Sequence, residues 1–365
     1  MAVILGAKMR PLSDTIARLS RLNRRPPFPS DALPTQLSDL PNFGSNPGAL
    51  SAKFYAPLEP PKSPGLAVVL HGCTQTAAGY DGCAGWSKLA EEYGFYVLFP
   101  QQRRENNANL CFNWFEKGDT VRDHGEAMSI RQMIETLAAK WKIDRKRIFI
   151  TGLSAGGAMA NVMLATYPEV FAGGAIIAGL PYGVASTVPE AFDRMRGHGV
   201  PDRNKLQKLL RGAAPTLTTW PSISVWHGTA DQTVSAVNAT AIVDQWRGAH
   251  GVEGYPPTVT KDEGVVRQDW HNESGQVVLS YHSIDGMGHG TPVDASNERE
   301  NSGPFMLDVG LSSTSQIAAD WGLTPSFERR QQSIQVQTAH LAPPNLSSGI
   351  KQTIENALRA AGLMK

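Results

Sequence analysis

The sequence has few cysteines, no long apolar run and no excess of charge of one sign, and each shortage excludes a class of protein. Its three cysteines, Cys73, Cys83 and Cys111, are an odd number, so complete internal pairing is impossible. None stands in a CxxC or Cys/His spacing that would indicate a metal site. Any one pair can still form a disulfide in an oxidising compartment. We therefore predict no metal centre.

Neither charge nor hydropathy indicates a nucleic-acid or membrane partner. The formal net charge is +1, without a long run of one sign, so electrostatics gives no reason to expect nucleic acid. No stretch approaches the roughly 20 apolar residues that a membrane-spanning helix requires. The first apolar run is too short for a secretory signal and no small-residue cleavage pattern follows it, which predicts either a cytoplasmic protein or a processed form.

Short apolar runs alternate with amphipathic segments through the middle of the chain. Continuous apolar strands of this length suit a parallel sheet that is covered on both faces. The alternation therefore predicts an α/β fold, with a mostly parallel central sheet flanked by helices. We predict helices at 124–140 and 234–247, and strands at 66–72, 95–100, 147–152, 172–179 and 223–228.

Two segments interrupt the alternation, and two more flank it. Residues 181–221 are basic and loosely helical, which predicts a small helical insertion, and residues 256–283 are typical of antiparallel strands. Proline-rich sequence near the start predicts an N-terminal arm over residues 1–50. The main domain is then 51–325, followed by a tail at 326–365 with a short amphipathic helix after Ile350.

The segment Gly152-Leu153-Ser154-Ala155-Gly156-Gly157 follows a predicted strand and opens an apolar helix. A G-x-S-x-G sequence in a strand–turn–helix setting is typical of a nucleophilic serine. The turn is so tight that its serine adopts strained dihedral angles, and glycines on either side relieve collisions. The alternative is a turn that merely links strand to helix. The flanking pattern favours Ser154 as a nucleophile.

A serine hydroxyl reacts only when a base removes its proton, so a histidine is required. In this kind of fold, the base is expected in a loop after the last strand. His289 stands in such a loop, GMGHGTP, whereas His282 lies inside the preceding strand. We predict that His289 is the base.

The histidine in turn needs an acid that lies beyond an earlier strand end. Asp231 follows the strand at 223–228, while Asp244 falls inside the next helix and Asp285 is too close to His289 for an independent loop. An N-cap for the following helix is the alternative role for Asp231. The chain order of serine, aspartate and histidine is the one expected of an α/β-hydrolase fold.

A tetrahedral intermediate requires two backbone N–H donors, and we predict the amides of Ala155 and Cys73. Ala155 follows the nucleophile, and Cys73 follows the strand at 66–72. His71 and His227, which end their strands, are interpreted as hydrogen-bonding scaffold residues rather than catalysts.

Two tryptophans near these loops are candidates for the substrate pocket. Trp114 stands in CFNWFEKGD and Trp226 precedes His227. Because buried aromatic residues usually belong to the core, a core position is the alternative for both. The chemistry requires an ester substrate but neither a metal nor an organic cofactor. The sequence does not indicate an oligomeric state.

Five ordered motifs resemble one family of enzymes. These are LHGCTQTA, CFNWFEKGD, TGLSAGGAMA, WHGTADQTV and GMGHG. Together they are similar to the polyhydroxybutyrate depolymerase family of esterases (the LpqC-like group), which is related to feruloyl and acetylxylan esterases. The resemblance extends from about Ser51 to Gly322, and the segment GTPVD after His289 departs from the AWPG-like run of relatives.

The resemblance implies that Ser154, Asp231 and His289 form a catalytic triad and that Cys73 lies at the oxyanion loop. It also implies a disulfide between Cys73 and Cys111, with Cys83 unpaired. Members of the family are largely exported, which implies an extracellular location.

Residues and resemblance together predict a serine esterase that acts on poly- or oligo(3-hydroxybutyrate) or other short-acyl esters. Feruloyl or acetylxylan ester hydrolysis is the alternative within esterases. A serine peptidase of the prolyl-oligopeptidase kind shares the glycine turn, but the chain has no room for a propeller domain. A non-catalytic interaction protein would have no need to retain all three triad residues.

Overall fold

The computed structural model describes residues 36–216 and 219–325 of the chain. All of them belong to one compact unit. Most of the predicted N-terminal arm and the whole predicted C-terminal tail, with its helix, lie outside the described residues.

The main sheet has ten strands in the order β1-β2-β4-β3-β5-β6-β7-β10-β9-β8. Its centre, from β4 to β10 in this order, is parallel. Both edges are antiparallel, and β11 pairs in parallel with β12 in a separate small sheet. The strands are β1 (Ser38–Asp39), β2 (Ser51–Tyr55), β3 (Leu66–Leu70), β4 (Tyr96–Gln101), β5 (Ile148–Leu153), β6 (Gly173–Ile177), β7 (Ser222–Gly228), β8 (Thr258–Asp262), β9 (Val265–His271), β10 (Val277–Ile284), β11 (Thr291–Val293) and β12 (Met306–Asp308).

Helices flank the sheet, as the alternation of the sequence predicts. Among the described residues, none of them is both long and apolar enough to cross a lipid bilayer. The helices are α1 (Ala77–Ala84), α2 (Trp86–Tyr93), α3 (Lys117–Thr120), α4 (Gly125–Lys140), α5 (Ala155–Thr166), α6 (Val188–Met195), α7 (Arg203–Ala213), α8 (Val237–His250) and α9 (Ser313–Asp320), with a 3-10 turn at Pro168–Val170.

The continuous apolar strands are explained by burial of both sheet faces. Along β3, Leu66, Val68 and Leu70 belong to one hydrophobic cluster, whereas Ala67 and Val69 belong to a second. Successive side chains of a strand alternate between faces, so every position of a doubly covered strand must be apolar. The fold is that of an α/β-hydrolase, with a mostly parallel sheet between layers of helix.

The predicted insertion at 181–221 is helical and carries α6 and α7 between β6 and β7. The segment 256–283 forms β8, β9 and most of β10, and β10 also pairs in parallel with β7.

The domain begins earlier than the predicted boundary at residue 51. The prediction places residues 36–50 in the arm, yet β1 pairs with β2 and the side chains of Leu40, Phe43 and Leu50 are buried in the core. The prolines that indicate an arm lie mostly before this segment. Burial of its apolar side chains makes it part of the domain.

Candidate active site

Ser154 stands at the sharp turn between β5 and α5. Its backbone angles are φ 58° and ψ −117°, in a region that residues with a side chain rarely adopt. The Ser154 N–H donates to the carbonyl of Ile177 at 2.9 Å, and its own carbonyl accepts the first helical hydrogen bond from Ala158. The neighbouring strand and the helix therefore hold the strained serine in place.

The two glycines that flank the serine are required by close backbone contacts. A Cβ at Gly152 would meet the carbonyl oxygen of Gly156 at 2.4 Å. A Cβ at Gly156 would meet the carbonyl oxygens of Leu70 and His71, also at 2.4 Å. The turn is thus pressed against the end of β3, and a side chain at either position would force the backbone to move.

Asp231 and His289 meet Ser154 at the carboxyl edge of the parallel sheet. Their loops follow β7 and β10, and the carboxyl ends of parallel strands lie at one edge. The His289 Nε2 lies 2.9 Å from the Ser154 Oγ, and the His289 Nδ1 lies 2.7 Å from the Asp231 Oδ2. The three predicted side chains therefore form one continuous hydrogen-bonded chain.

The carboxylate of Asp231 is buried and has several donors. Its Oδ1 accepts hydrogen bonds from the amides of Thr233 and Val234, each at 2.8 Å. Burial acts to raise the pKa of Asp231, but the hydrogen bond and charge of His289, with contributions from His227 and the Val234 amide, hold it below its ordinary value. The carboxylate is therefore ionised at neutral pH.

His227 is a second histidine beside the same carboxylate. Its Nε2 lies 2.8 Å from the carbonyl oxygen of Val234 and 3.4 Å from the Asp231 Oδ2. A carbonyl oxygen can only accept, so this nitrogen carries the proton. Burial lowers the pKa of His227, against the opposing attraction of Asp231, so the ring is a neutral donor. The scaffold role predicted for His227 agrees with these contacts.

The two amides predicted as oxyanion donors have no acceptor within the part of the chain that the structure describes. The Ala155 amide begins α5, where an N–H has no intrahelical partner.

Cys73 forms a disulfide with Cys111, and Cys83 is a free, buried thiol. The disulfide joins the loop after β3 to the loop that carries Trp114.

The structure separates the two tryptophans predicted for the pocket. Trp226 is fully buried, and its ring stacks on that of His282 with centroids 3.7 Å apart, so it is a core residue that no substrate can reach. Trp226 is buried because it lies inside β7 and its side chain belongs to the second hydrophobic cluster of the sheet. Trp114 is 7 % exposed and packs edge-on against Phe115.

Two features near the site have no local signal in the sequence. Phe305, which lies in the segment before β12, packs edge-on against the His289 ring, with the two ring centroids 6.1 Å apart. Glu126 carries a buried carboxyl group that accepts from the Gln102 Nε2 at 2.5 Å and from the Asn113 amide at 2.9 Å. The Gln102 Nε2 also donates to the Cys111 carbonyl, so this network supports the disulfide-linked loop. These contacts join separate loops and elements of the chain, so inspection of each segment alone does not predict them.

Across residues 36–216 and 219–325, no three His, Cys, Asp or Glu side chains lie close enough together to hold a metal ion. The geometry instead combines a strained serine, a histidine in contact with it and an ionised aspartate behind the histidine. That combination is suited to nucleophilic attack on a carbonyl carbon.

Known proteins with similar sequences are esterases and depolymerases. Poly(3-hydroxyalkanoate) depolymerase C of Paucimonas lemoignei is 41% identical over 291 residues, which cover 79% of this chain and 70% of that protein. Acetylxylan esterase of Coprinopsis cinerea is 30% identical over 272 residues, 72% of each chain. Feruloyl esterase B of Talaromyces stipitatus is 30% identical over 269 residues, 71% of this chain and 74% of that protein.

A solved structure and a family match agree with these relatives. The acetyl xylan esterase from Aspergillus awamori superposes with a TM-score of 0.65 at 25% identity, covering 70% of this chain and 94% of that one. Residues 51–266, more than half of the chain, match the family described as Esterase PHB depolymerase. The chain therefore belongs to the Esterase PHB depolymerase family and is a carboxylic ester hydrolase.

Proposed function

We propose that this esterase works through a Ser154–His289–Asp231 triad and an acyl-enzyme intermediate. One observation carries the proposal: a continuous chain of hydrogen bonds runs from the Ser154 Oγ through the imidazole to the buried Asp231 carboxylate. In this arrangement the imidazole receives the serine proton and the carboxylate stabilises the resulting positive charge.

In the first half of the reaction, the Ser154 Oγ attacks the ester carbonyl carbon while the His289 Nε2 takes its proton. The carbonyl oxygen becomes an oxyanion, which the free amides of Cys73 and Ala155 are suited to bind. Collapse of the tetrahedral intermediate breaks the bond to the alcohol, and His289 returns the proton to that leaving oxygen. The acyl group remains on Ser154.

In the second half, a water molecule takes the place of the departed alcohol. His289 removes a proton from the water, whose oxygen attacks the acyl carbon and forms a second tetrahedral intermediate. This collapses with return of the proton to the Ser154 Oγ. A carboxylic acid is released, and the enzyme is regenerated without any metal or organic cofactor.

Esters of short hydroxyalkanoic acids are the substrate class that we propose. The support is the 41% identity to a poly(3-hydroxyalkanoate) depolymerase, compared with 30% for an acetylxylan and a feruloyl esterase. Those two relatives make acetyl or feruloyl esters of polysaccharides the second candidate class. Trp114 and Phe115 are proposed to form an apolar wall of the substrate pocket, because they follow the disulfide-linked Cys111 in the same loop.

A hydrolysis panel separates the two substrate classes. It compares kcat/KM for 3-hydroxybutyrate oligomers, solid polymer, short p-nitrophenyl esters, acetylated xylan and methyl ferulate. We expect the highest values on hydroxybutyrate oligomers and short acyl esters. A clear preference for methyl ferulate or acetylated xylan would contradict the proposed substrate class but leave the triad intact.

Replacement of the nucleophile tests the triad. Ser154→Ala should lower kcat on p-nitrophenyl butyrate by about 10⁴- to 10⁶-fold, the range found when single triad residues are removed from a serine protease. It should also abolish covalent labelling by a fluorophosphonate probe. Ser222→Ala, which alters a hydroxyl with only a weak 3.4 Å contact, is the matched control and should remain active. Near-native activity of Ser154→Ala would refute the assignment.

A further inference from the structure

Phe305 adopts a backbone conformation that an aromatic residue rarely occupies. Its φ is 62°, in the left-handed region that glycine adopts without strain. The Cβ of any other residue lies too close to the neighbouring carbonyl oxygen in this region. Strained residues persist only where the surrounding structure fixes them, and they concentrate at functional sites. The strain at Phe305 therefore indicates a role for its side chain.

A tight turn imposes this conformation. The Met306 amide donates to the Gly303 carbonyl at 3.0 Å, and the Gly303 amide donates to the Met306 carbonyl at the same distance. Pro304 holds φ at about −65° in the second position, so the positive φ of Phe305 in the third position makes this a type II turn. Glycine or asparagine is usual at that third position. The turn itself therefore does not explain the aromatic ring.

Two loops of the active site hold the turn. The Phe305 carbonyl accepts from the Thr291 amide at 2.8 Å, two residues after His289. The Pro304 carbonyl accepts from the Gln75 Nε2 at 3.2 Å. Gln75 lies in the loop after β3, which also carries one of the two proposed oxyanion donors. The turn therefore links the loop of the base to the loop of the oxyanion site.

The ring of Phe305 lies beside the reacting groups and is only partly buried. It packs edge-on against the His289 ring, with the two centroids 6.1 Å apart, at the margin of the second hydrophobic cluster. Ser154, by contrast, is only 9 % exposed, and the His289 side chain is only 8 % exposed. A partly exposed aromatic ring next to the base is placed to contact a bound substrate.

The position of the ring next to the base determines which half of an ester it meets. In the proposed reaction His289 returns a proton to the leaving oxygen, and a general acid must come within about 2.6–3.2 Å of the atom that it protonates. The next atom beyond that oxygen is the first carbon of the alcohol. Alkyl groups on this carbon therefore lie beside the imidazole and the ring that packs against it, whereas the acyl chain extends from the other side of the carbonyl carbon.

We propose that Phe305 is a specificity-determining residue for the alcohol half of the ester: its ring makes an apolar contact with the alkyl groups of the leaving alcohol. A hydroxyalkanoate chain fits this contact, because its alcohol carbon carries an alkyl branch. The alcohol of a polysaccharide ester is instead surrounded by hydroxyl groups. This inference rests on the proposed function, in which His289 is the general acid.

The assay varies the alcohol and the acyl group of the ester separately. The first series is methyl, sec-butyl and glyceryl butyrate, which share the acyl group, and the second is methyl acetate, methyl butyrate and methyl hexanoate, which share the alcohol. Phe305→Ala should lower kcat/KM on sec-butyl butyrate by about 10-fold relative to methyl butyrate, the loss expected when an alkyl group loses a hydrophobic contact. The glyceryl-to-methyl ratio and the ratios within the acyl series should remain those of wild type.

Phe305→Gly separates the effect of the ring from that of the turn. Glycine adopts the required φ without strain, so this variant should unfold at a higher temperature than Phe305→Ala and show the same loss on sec-butyl butyrate. Val309→Ala is the matched control, because it shortens a partly buried side chain of the same hydrophobic cluster just after β12, and it should keep the wild-type ratios. A wild-type ratio of sec-butyl to methyl ester in Phe305→Gly, or an equal loss on all the esters, would overturn the proposal.

A second measurement starts from the same acyl-enzyme in every variant. p-Nitrophenyl butyrate acylates Ser154, and an added alcohol then competes with water for the butyryl group. His289 takes the proton of the alcohol, the alcohol oxygen bonds to the acyl carbon, and the proton returns to the Ser154 Oγ as the bond to the enzyme breaks. With sec-butanol, the ratio of ester to butyric acid should fall about 10-fold in Phe305→Ala and Phe305→Gly, whereas with methanol it should not change.

An unchanged product ratio with sec-butanol in both variants would refute the assignment of Phe305 to the alcohol half. Failure of the proposed function is distinguishable, since hydrolysis would then persist in Ser154→Ala. Failure of the Phe305 inference alone leaves hydrolysis dependent on Ser154.

Discussion

Asp231→Asn is expected to disable the enzyme by reversing the tautomer of His289 while keeping the shape of the site. The Asp231 Oδ1 accepts from the amides of Thr233 and Val234, so the oxygen of an asparagine must take that position. Its NH₂ group would otherwise face two N–H donors. The NH₂ then replaces Oδ2, which lies 2.7 Å from the His289 Nδ1.

An NH₂ group at this place forces the His289 Nδ1 to become the acceptor. The proton of the neutral imidazole moves to Nε2, which lies 2.9 Å from the Ser154 Oγ and can no longer receive the serine proton. The equivalent substitution in serine proteases lowers kcat by about 10⁴-fold, which corresponds to ~5 kcal/mol in the activation barrier. We expect a loss of this size.

The measurement is kcat on p-nitrophenyl butyrate at neutral pH, with the thermal unfolding midpoint recorded in parallel. Asp244→Asn and Asp285→Asn are matched controls. The first removes the negative charge that faces Arg203, and the second removes the charge of a carboxylate that accepts a hydrogen bond from Thr229. Both should stay close to wild type. If Asp231→Asn kept activity within tenfold of wild type, Asp231 would not be the residue that orients the base.

Two further predictions concern the disulfide and the buried carboxyl group. Cys73→Ala should keep much of the esterase activity, because only the backbone N–H of this residue is invoked, but it should lower the free energy of unfolding by about 2 to 4 kcal/mol through loss of the disulfide. Activity and denaturant unfolding measure the two effects. Glu126 has a pKa raised to about 8 from 4.5, first by burial and then by the charge of Asp119. Because the pKa of Glu126 is higher in the folded protein than in the unfolded chain, the protonated group contributes fully to stability below pH 4.5. This contribution is lost as pH rises towards 8. The stability of wild type relative to Glu126→Gln should therefore fall over that window by on the order of 4 kcal/mol, measured by urea unfolding at several pH values.

Each of these predictions has an outcome that contradicts it. Complete loss of activity in a folded Cys73→Ala protein would assign a chemical role to the thiol sulfur or its disulfide. Cys83→Ala, at the free buried thiol, is the control for a cysteine substitution without loss of a disulfide. Parallel pH profiles for wild type and Glu126→Gln would mean that this carboxyl group is ionised equally in the folded and unfolded states.

The sequence by itself determined the local features of this protein. Strand and helix positions follow from hydrophobic periodicity, because each element must bury its apolar positions, and β5 at Ile148–Leu153 matches the predicted 147–152 closely. The turn at Ser154 is equally local, since the two glycines and the serine that need each other lie within five residues. The order of strands and loops then limits where a base and an acid can stand.

Only the tertiary structure decided which side chains meet and which are sealed in the core. Trp226 and His227 are neighbours in sequence, yet alternation along β7 sends one into the core and sets the other against Asp231. Residues 36–50 join the domain because Leu40, Phe43 and Leu50 are buried in the main hydrophobic cluster and the Gly48 amide donates to the Ser129 hydroxyl.

The contacts around the oxyanion loop are also decided by the tertiary structure. The Gln102 amide donates to the ring of His71, which lies 31 residues away along the chain, and Glu126 in turn accepts from the Gln102 side chain. The cysteines alone leave three possible pairs, and the fold brings Cys73 and Cys111 together. Such contacts depend on how separate elements pack. Periodicity and spacing describe each element alone, so they carry no record of these partners.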